Sequence, residues 1–334
     1  MLNHPAGAAG VTVVGLVVLL VGGHWLVSGA VTIARRLGVS TLLVGLTIVA
    51  MGTSAPELAF NLIAAHGGNT DLSFGNVVGS NIANIGLIVG VAALLRPLNV
   101  HGRVIKLELP LLLVASGAMF FFAYGLHARP LPGDHHGFDR IDGLIMLGFF
   151  LAFMAEWIYL GRRDPADPLM KELRAEAETE RALPAAVLLV LLGLACLAGG
   201  GKLSEKGAVQ IAEMLGLSQA LIGLTIVAFA TSLPELVTAV IACRKGHDDL
   251  AVGNVVGSNV FNLLLVLGVT AVVAPVAVPA AHGWQDLTVM VGITCVLALM
   301  SYSHRTVTRG EGALLLLMYL GYMSWSVVRE IRAP

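Results

Sequence analysis

Formal charge is what this chain lacks most. Only 12% of its 334 residues are Asp, Glu, Lys or Arg, where a soluble domain carries about a quarter. With 57% apolar residues beside so little charge, a soluble fold is excluded. An excess of either sign is also lacking, since 20 Lys+Arg against 21 Asp+Glu leave a net charge of −1. Without a basic field there is nothing to hold nucleic acid. Cysteine is scarce too: Cys196, Cys243 and Cys295 stand far apart, in no paired or metal-type spacing, which excludes a disulfide framework and a thiolate metal centre. MLNHPAGAAG, ahead of the first apolar stretch, lacks Lys and Arg, and the run continues past Ala30 without a small-residue cleavage site. We therefore expect a retained span there and no cleaved leader.

Long apolar runs are what the chain has. A helix of about 20 apolar residues crosses the roughly 30 Å hydrocarbon core, and ten such spans can be drawn, at 11–33, 40–65, 74–95, 104–125, 140–160, 183–207, 218–242, 251–274, 285–302 and 311–328. The expected fold is an all-α polytopic membrane protein. With the N-terminus outside, the inside loops hold 14 of the 20 basic residues: Arg35, Arg36, Arg96, Arg103, Lys106, Arg162, Arg163, Lys171, Arg174, Arg181, Arg244, Lys245, Arg305 and Arg309. The positive-inside rule then places both termini on the non-cytoplasmic side of a plasma (inner) membrane.

The chain repeats itself. GLTIVAMGTSAPEL (Gly45 to Leu58) returns as GLTIVAFATSLPEL (Gly223 to Leu236), and GNVVGSNIAN (Gly75 to Asn84) as GNVVGSNVFN (Gly253 to Asn262); both share an offset of 178, with 24 of 40 positions identical from Gly45 to Asn84. Two halves follow, 1–160 with its motif at 44–90 and 182–334 with its motif at 222–268, joined by a mixed-charge cytoplasmic linker at 161–181. Five spans per half is an odd number, so the second half enters the membrane inverted. Inverted repeats are a transporter architecture, with the substrate site near the midplane.

The repeat also places polar groups where lipid would exclude them. Glu57 and Glu235 fall well inside the second and seventh spans, where a carboxylate costs about 3 kcal/mol or more unless paired, hydrated or bound to a cation. Each follows a proline, Pro56 or Pro234, which breaks helical hydrogen bonding and frees backbone carbonyls; those of Ala50 and Ala228 are candidates to face a cavity. Thr53 and Thr231 lie four residues earlier on the same helix face, with Ser54 and Ser232 beside them. On the next spans Asn76, Ser80 and Asn84 form a stripe matched by Asn254, Ser258 and Asn262. Such stripes serve either as ligands or as interhelical glue. An all-oxygen set suits a hard cation such as Ca2+ or Na+, and neither the GTSAPEL and ATSLPEL segments nor the two GNVVGSN segments hold His or Cys. Asp134, His135, His136 and Asp139 are read as a polar loop tip in preference to a metal site. Glu108, Glu156 and Asp286 are read as interfacial.

These motifs resemble the alpha repeats of the sodium/calcium exchanger family within the calcium/cation antiporter superfamily. The resemblance implies ten spans, with the second, third, seventh and eighth enclosing the ions and the long first and sixth sliding to alternate access. It implies that Glu57 and Glu235 are carboxylates shared by Ca2+ and Na+. Thr53, Ser54, Ser80, Asn84, Thr231, Ser232, Ser258, Asn262 and the carbonyls of Ala50 and Ala228 would be the remaining ligands. Ala230 and Ala55 depart from the family pattern. Superfamily members that co-transport K+ carry an aspartate where this chain has Asn262, so K+ is not expected as a substrate.

The function expected is secondary active antiport of Na+ against Ca2+, with no catalysis and no prosthetic group, membrane lipid as the surrounding partner, and an oligomeric state left open. An H+/Ca2+ antiporter on the same fold is the alternative. A cation channel would not need the inverted repeat, and an intramembrane hydrolase would need a base that neither motif supplies.

Overall fold

A computed structural model describes residues 4–124, 131, 136–163, 182–215 and 228–332. Among them, nine helices are long and apolar enough to cross a membrane. We number the helices α1 (Pro5–Leu37), α2 (Thr41–His66), α3 (Thr70–Leu95), α4 (Val104–Tyr124), α5 (Arg140–Arg163), α6 (Leu183–Met214), α7 (228–244), α8 (Asp248–Val273), α9 (Gly283–His304) and α10 (Arg309–Arg332). The ten expected spans match these within a few residues, apart from α1, which starts at Pro5 and runs on to Leu37, and α6, which runs on to Met214. The start of the expected 218–242 span and nearly all of the linker lie outside the described residues.

Local signals set the boundaries. Pro5 opens α1 behind His4, whose side chain accepts from the Ala6 amide, and Gly38 closes it at φ 63°. Such a left-handed cap is open to glycine at no steric cost. Gly68 and Gly246, 178 residues apart, turn the α2–α3 and α7–α8 hairpins at φ 79° and 80°. Asp139 accepts from the Ile141 and Asp142 amides at 2.7 and 2.9 Å and so caps α5. That accounts for Asp139 as helix capping; His136 stacks on Tyr124, and Asp134 and His135 lie outside the described residues.

Two short ladders tie the loops. β1 (Leu98–Asn99) pairs antiparallel with β4 (Thr306–Val307), and β2 (Gly137–Phe138) with β3 (Val276–Ala277). β1 and β3 are repeat-equivalent, again by 178. The α3–α4 loop meets the α7–α8 turn as well, where Asp248 accepts from the Asn99 amide and side chain at 3.3 and 3.1 Å and faces Arg96 at 3.9 Å. The loops carrying Arg96, Arg244, Lys245 and Arg305 thereby share one face of the molecule. The halves interleave, α5 packing on α8 and α10 on α3.

α1 and α6 are joined by a seam of small residues. A Cβ added at Gly22 would fall 2.9 Å from the Gly193 carbonyl oxygen; at Gly193, 2.8 Å from that of Gly22; at Gly200, 2.8 Å from that of Gly15; and at Gly29, 2.7 Å from that of Ala186. The contacts recur every seven residues in antiparallel register, and only glycine lets the backbones approach this closely. Gly23 and Gly201 sit on another face, toward Val237 and Ile241 at 2.8 Å and toward Pro234 at 3.7 Å. Gly15, Gly22, Gly29, Gly193, Gly200 and Gly207 therefore line the seam between α1 and α6, and Gly23 and Gly201 face the rest of the bundle.

Candidate cation site

Proline and serine build the site. α2 breaks at Ser54 (φ −87°, ψ 1°) and α7 at Ser232 (φ −87°, ψ 0°), and each helix restarts with the proline in its first turn. Glu57 and Glu235 consequently stand in the first turn of a new helical segment, where free amides and the helix dipole favour negative charge. Both are 1% exposed. They lie close enough for the charge of Glu235 to bear on Glu57.

α8 packs hard against α2 to close this space. A Cβ at Gly253 would lie 2.9 Å from the Leu42 carbonyl oxygen, and one at Gly257 2.8 Å from that of Leu46. The close approach brings Thr53 to Asn254 and Ser258: its hydroxyl donates to Asn254 Oδ1 at 3.2 Å and lies 3.5 Å from Ser258 Oγ. The Thr53 and Ser54 hydroxyls also approach the Glu235 carboxyl without reaching hydrogen-bond geometry. Groups from α2, α7 and α8 thus share one buried space.

Among the described residues, the buried oxygens without a hydrogen-bond partner include Ser54 Oγ, Glu57 Oε2, Asn84 Oδ1, Ser232 Oγ, both Glu235 oxygens and Asn262 Oδ1. Six of the candidate ligands that the sequence singled out therefore present acceptors that the protein leaves unsatisfied. Buried acceptors in that state cost about 1–3 kcal/mol each, more when charged, and a bound cation would satisfy several at once. Ser80 and Ser258 are buried, and Thr231 is half-buried. The Ala50 carbonyl is less free than expected, accepting from the Ser54 amide at 3.0 Å, with the Thr53 hydroxyl 3.4 Å away. Ala228 is described by its backbone alone.

Several participants escape a reading of the sequence. Asn259 Oδ1 accepts from Asn84 Nδ2 at 2.9 Å, and its own Nδ2 donates to the Asn81 carbonyl at 3.5 Å. This stitches α3 to α8 and orients Asn84 with its oxygen unengaged. The repeated GSN motif holds both Asn81 and Asn259, so the signal was there, but nothing in it separates a brace from a ligand. π-helical turns at Asn84–Val89 and Phe261–Val266 begin where the stripes end; such widened turns often mark functional sites. Asn61 is fully buried, and its Nδ2 donates to the Glu57 carbonyl at 2.8 Å.

Glu108 and Asp286, near the ends of α4 and α9 as expected, are buried against neighbouring side chains. Glu108 pairs with Arg103 at 3.1 Å and accepts from the Trp157 indole. Asp286 pairs with Arg329 at 3.1 Å and accepts from the Tyr322 hydroxyl at 3.3 Å. They are themselves 178 residues apart, each fastening the fourth helix of its half to the fifth. Partners on the neighbouring helix make burial affordable at depths a span diagram reads as the rim.

The family model described as sodium/calcium exchanger protein matches residues 7–158 and 185–328. The chain is 42% identical to CaxA of Alkalimonas amylolytica over 313 residues, covering 92% of this chain and 95% of that one. It is 32% identical to the sodium/calcium exchanger MaX1 of Methanosarcina acetivorans, with 94% and 96% covered. Among solved structures, the sodium-calcium exchanger NCX_Mj soaked with 10 mM Na+ and zero Ca2+ superposes with a TM-score of 0.81 at 27% identity, over 96% of this chain and 99% of that chain.

Proposed function

Because the chain belongs to the sodium/calcium exchanger family of membrane antiporters, we propose that it exchanges Na+ for Ca2+ by alternating access at the site between Glu57 and Glu235. The observation that carries this reading is the pair itself: two repeat-related carboxylates, each 1% exposed and close enough for one charge to bear on the other, together with unsatisfied buried oxygens of Ser54, Ser232, Asn84 and Asn262. Thr53, Thr231, Ser80, Ser258 and the Ala50 and Ala228 carbonyls complete the proposed ligand set.

One Ca2+ neutralises the two carboxylates. Several Na+ ions using the same oxygens exceed that charge, so their exchange for one Ca2+ carries current. Because the two ions share ligands they compete, and competition couples the fluxes. A site emptied of cations leaves two like charges desolvated and opposed, so crossing without cargo is disfavoured. The clustering of basic loops on one face supports placing that face in the cytoplasm, with both termini outside the plasma membrane. Residues 1–160 and 182–334 are then the two halves, joined by the cytoplasmic linker at 161–181.

The test is 45Ca2+ uptake into proteoliposomes with Na+, K+ and H+ gradients imposed one at a time. Uptake that requires internal Na+ supports the reading. Uptake driven by a pH gradient with no Na+ present assigns the chain to H+/Ca2+ antiport on the same fold.

A further inference from the structure

Asn254 begins the α8 stripe but is not among the proposed ligands. It is fully buried; its Oδ1 accepts from the Thr53 hydroxyl at 3.2 Å, and its Nδ2 has no hydrogen-bond partner among the described residues. Thr53 has a single proton to give. Its other candidate acceptors are the Ala50 carbonyl at 3.4 Å, Ser258 Oγ at 3.5 Å and the Glu235 carboxyl. All three belong to the proposed ligand set. A hydroxyl coordinates a cation through a lone pair and repels it when the proton points inward. A proton donated to Ala50, Ser258 or Glu235 would also occupy an oxygen that the ion needs. Asn254 is the acceptor in this group that lies outside the ligand set.

We propose that Asn254 is a positioning residue for ion binding. It draws the Thr53 proton away from the cavity, turns a Thr53 lone pair toward the ion, and leaves the Ala50, Ser258 and Glu235 oxygens available. The proposal rests on the site reading above. The 178-residue offset carries Asn254 to Asn76 and Thr53 to Thr231, and Asn76 Nδ2 likewise is buried without a partner among the described residues.

The experiment is equilibrium 45Ca2+ binding to the purified full-length protein, alongside flux, for Asn254→Ala, Thr53→Val and the double variant. Asn254→Leu repeats the comparison without opening a cavity, and size-exclusion profiles check folding. Asn254→Ala is expected to weaken Ca2+ binding about fivefold, the scale of one hydrogen bond, with a smaller change in turnover at saturating Ca2+. In the Thr53→Val background the same substitution is expected to cost almost nothing. An equal loss in both backgrounds would show that Asn254 acts through packing alone and would overturn the proposal, as would unchanged binding in the single variant. Glu57→Gln separates the two levels of argument: if it retains full Ca2+ binding, the site itself is misplaced.

Discussion

Glu57 and Glu235 are the residues on which the exchange reading stands or falls. Glu57→Gln or Glu235→Gln keeps the shape of the side chain and removes half of the countercharge to Ca2+. Each is expected to reduce 45Ca2+ flux at least about a hundredfold, or ~2.8 kcal/mol, while the protein still purifies as a folded species. Near-normal flux in either would remove the site. Asn84 and Asn262 contribute amide oxygens and no charge. Two candidates for a third acid, Glu108 and Asp286, are held by Arg103 with Trp157 and by Arg329 with Tyr322. With two carboxylates in the proposed site, a K+ ion beside Ca2+ would lack a countercharge there, so Ca2+ uptake by Na+-loaded vesicles in choline medium is expected to be the same with and without K+ at clamped potential. A strict K+ requirement would contradict the two-carboxylate account. His247 is a different kind of residue, lying between α7 and α8. Burial first, then Arg35 and Lys245, hold its imidazole below the ordinary histidine value, with Asp248 opposing. The unfolded chain takes up that proton near pH 6.5, and the folded chain does so only at lower pH. Between those values the unfolded state binds more protons, and stability falls as pH falls. Thermal unfolding in detergent at about pH 7.5 and about pH 5.5 should show a smaller acid-induced drop for His247→Gln than for the parent. An unchanged drop would assign the acid sensitivity to other groups.

Among the elements, α1 and α6 divide their glycines between two jobs, and substitution separates them. Gly22→Leu and Gly200→Leu place a side chain against the opposing backbone, where a Cβ alone falls 2.9 Å from Gly193 O or 2.8 Å from Gly15 O. Those backbones cannot yield without parting the helices, so both variants are expected to lose folded protein, read as yield and thermal midpoint. Gly23→Leu and Gly201→Leu press instead on Val237, Ile241 and Pro234. For these, turnover is expected to fall by about tenfold or more, ~1.4 kcal/mol in the barrier, with Ca2+ binding less affected. Equal losses of binding and turnover would argue against a gating surface. The glycines were plain in the sequence, but a seven-residue seam and its neighbouring face cannot be told apart without knowing how each helix is rotated. The helices themselves were legible because length, apolarity and the prolines before Glu57 and Glu235 are local signals. The π-helical turns after Asn84 and Phe261 were not, since widening a turn depends on what packs against it. Asn254 was visible as a stripe member, yet its bond to Thr53 is set by the approach of α8 to α2, which Gly253 and Gly257 permit.

For the molecule as a whole, the offset of 178 predicted more than the residues used to find it. β1 and β3, and Glu108 and Asp286, obey it as well, although the last pair shares only its carboxyl chemistry and finds different partners. Those partners, Trp157 and Arg329, lie outside the strongly repeated motif, which is why burial of the two acids was not legible. The interleaving of the halves was not legible either. α5 packs on α8 and α10 on α3, and each two-residue ladder takes one strand from either half. This has a consequence for biogenesis. When a ribosome has delivered only the first five helices, α5 has yet to meet α8, and β1 must wait for β4, more than two hundred residues later in the chain. Neither half is then a folding unit in its own right. Expressed alone, 1–160 or 182–334 is expected to be cleared by membrane proteases, whereas the two expressed together should accumulate and co-purify. The severed linker would matter little, because what joins the halves is the exchange of helices between them.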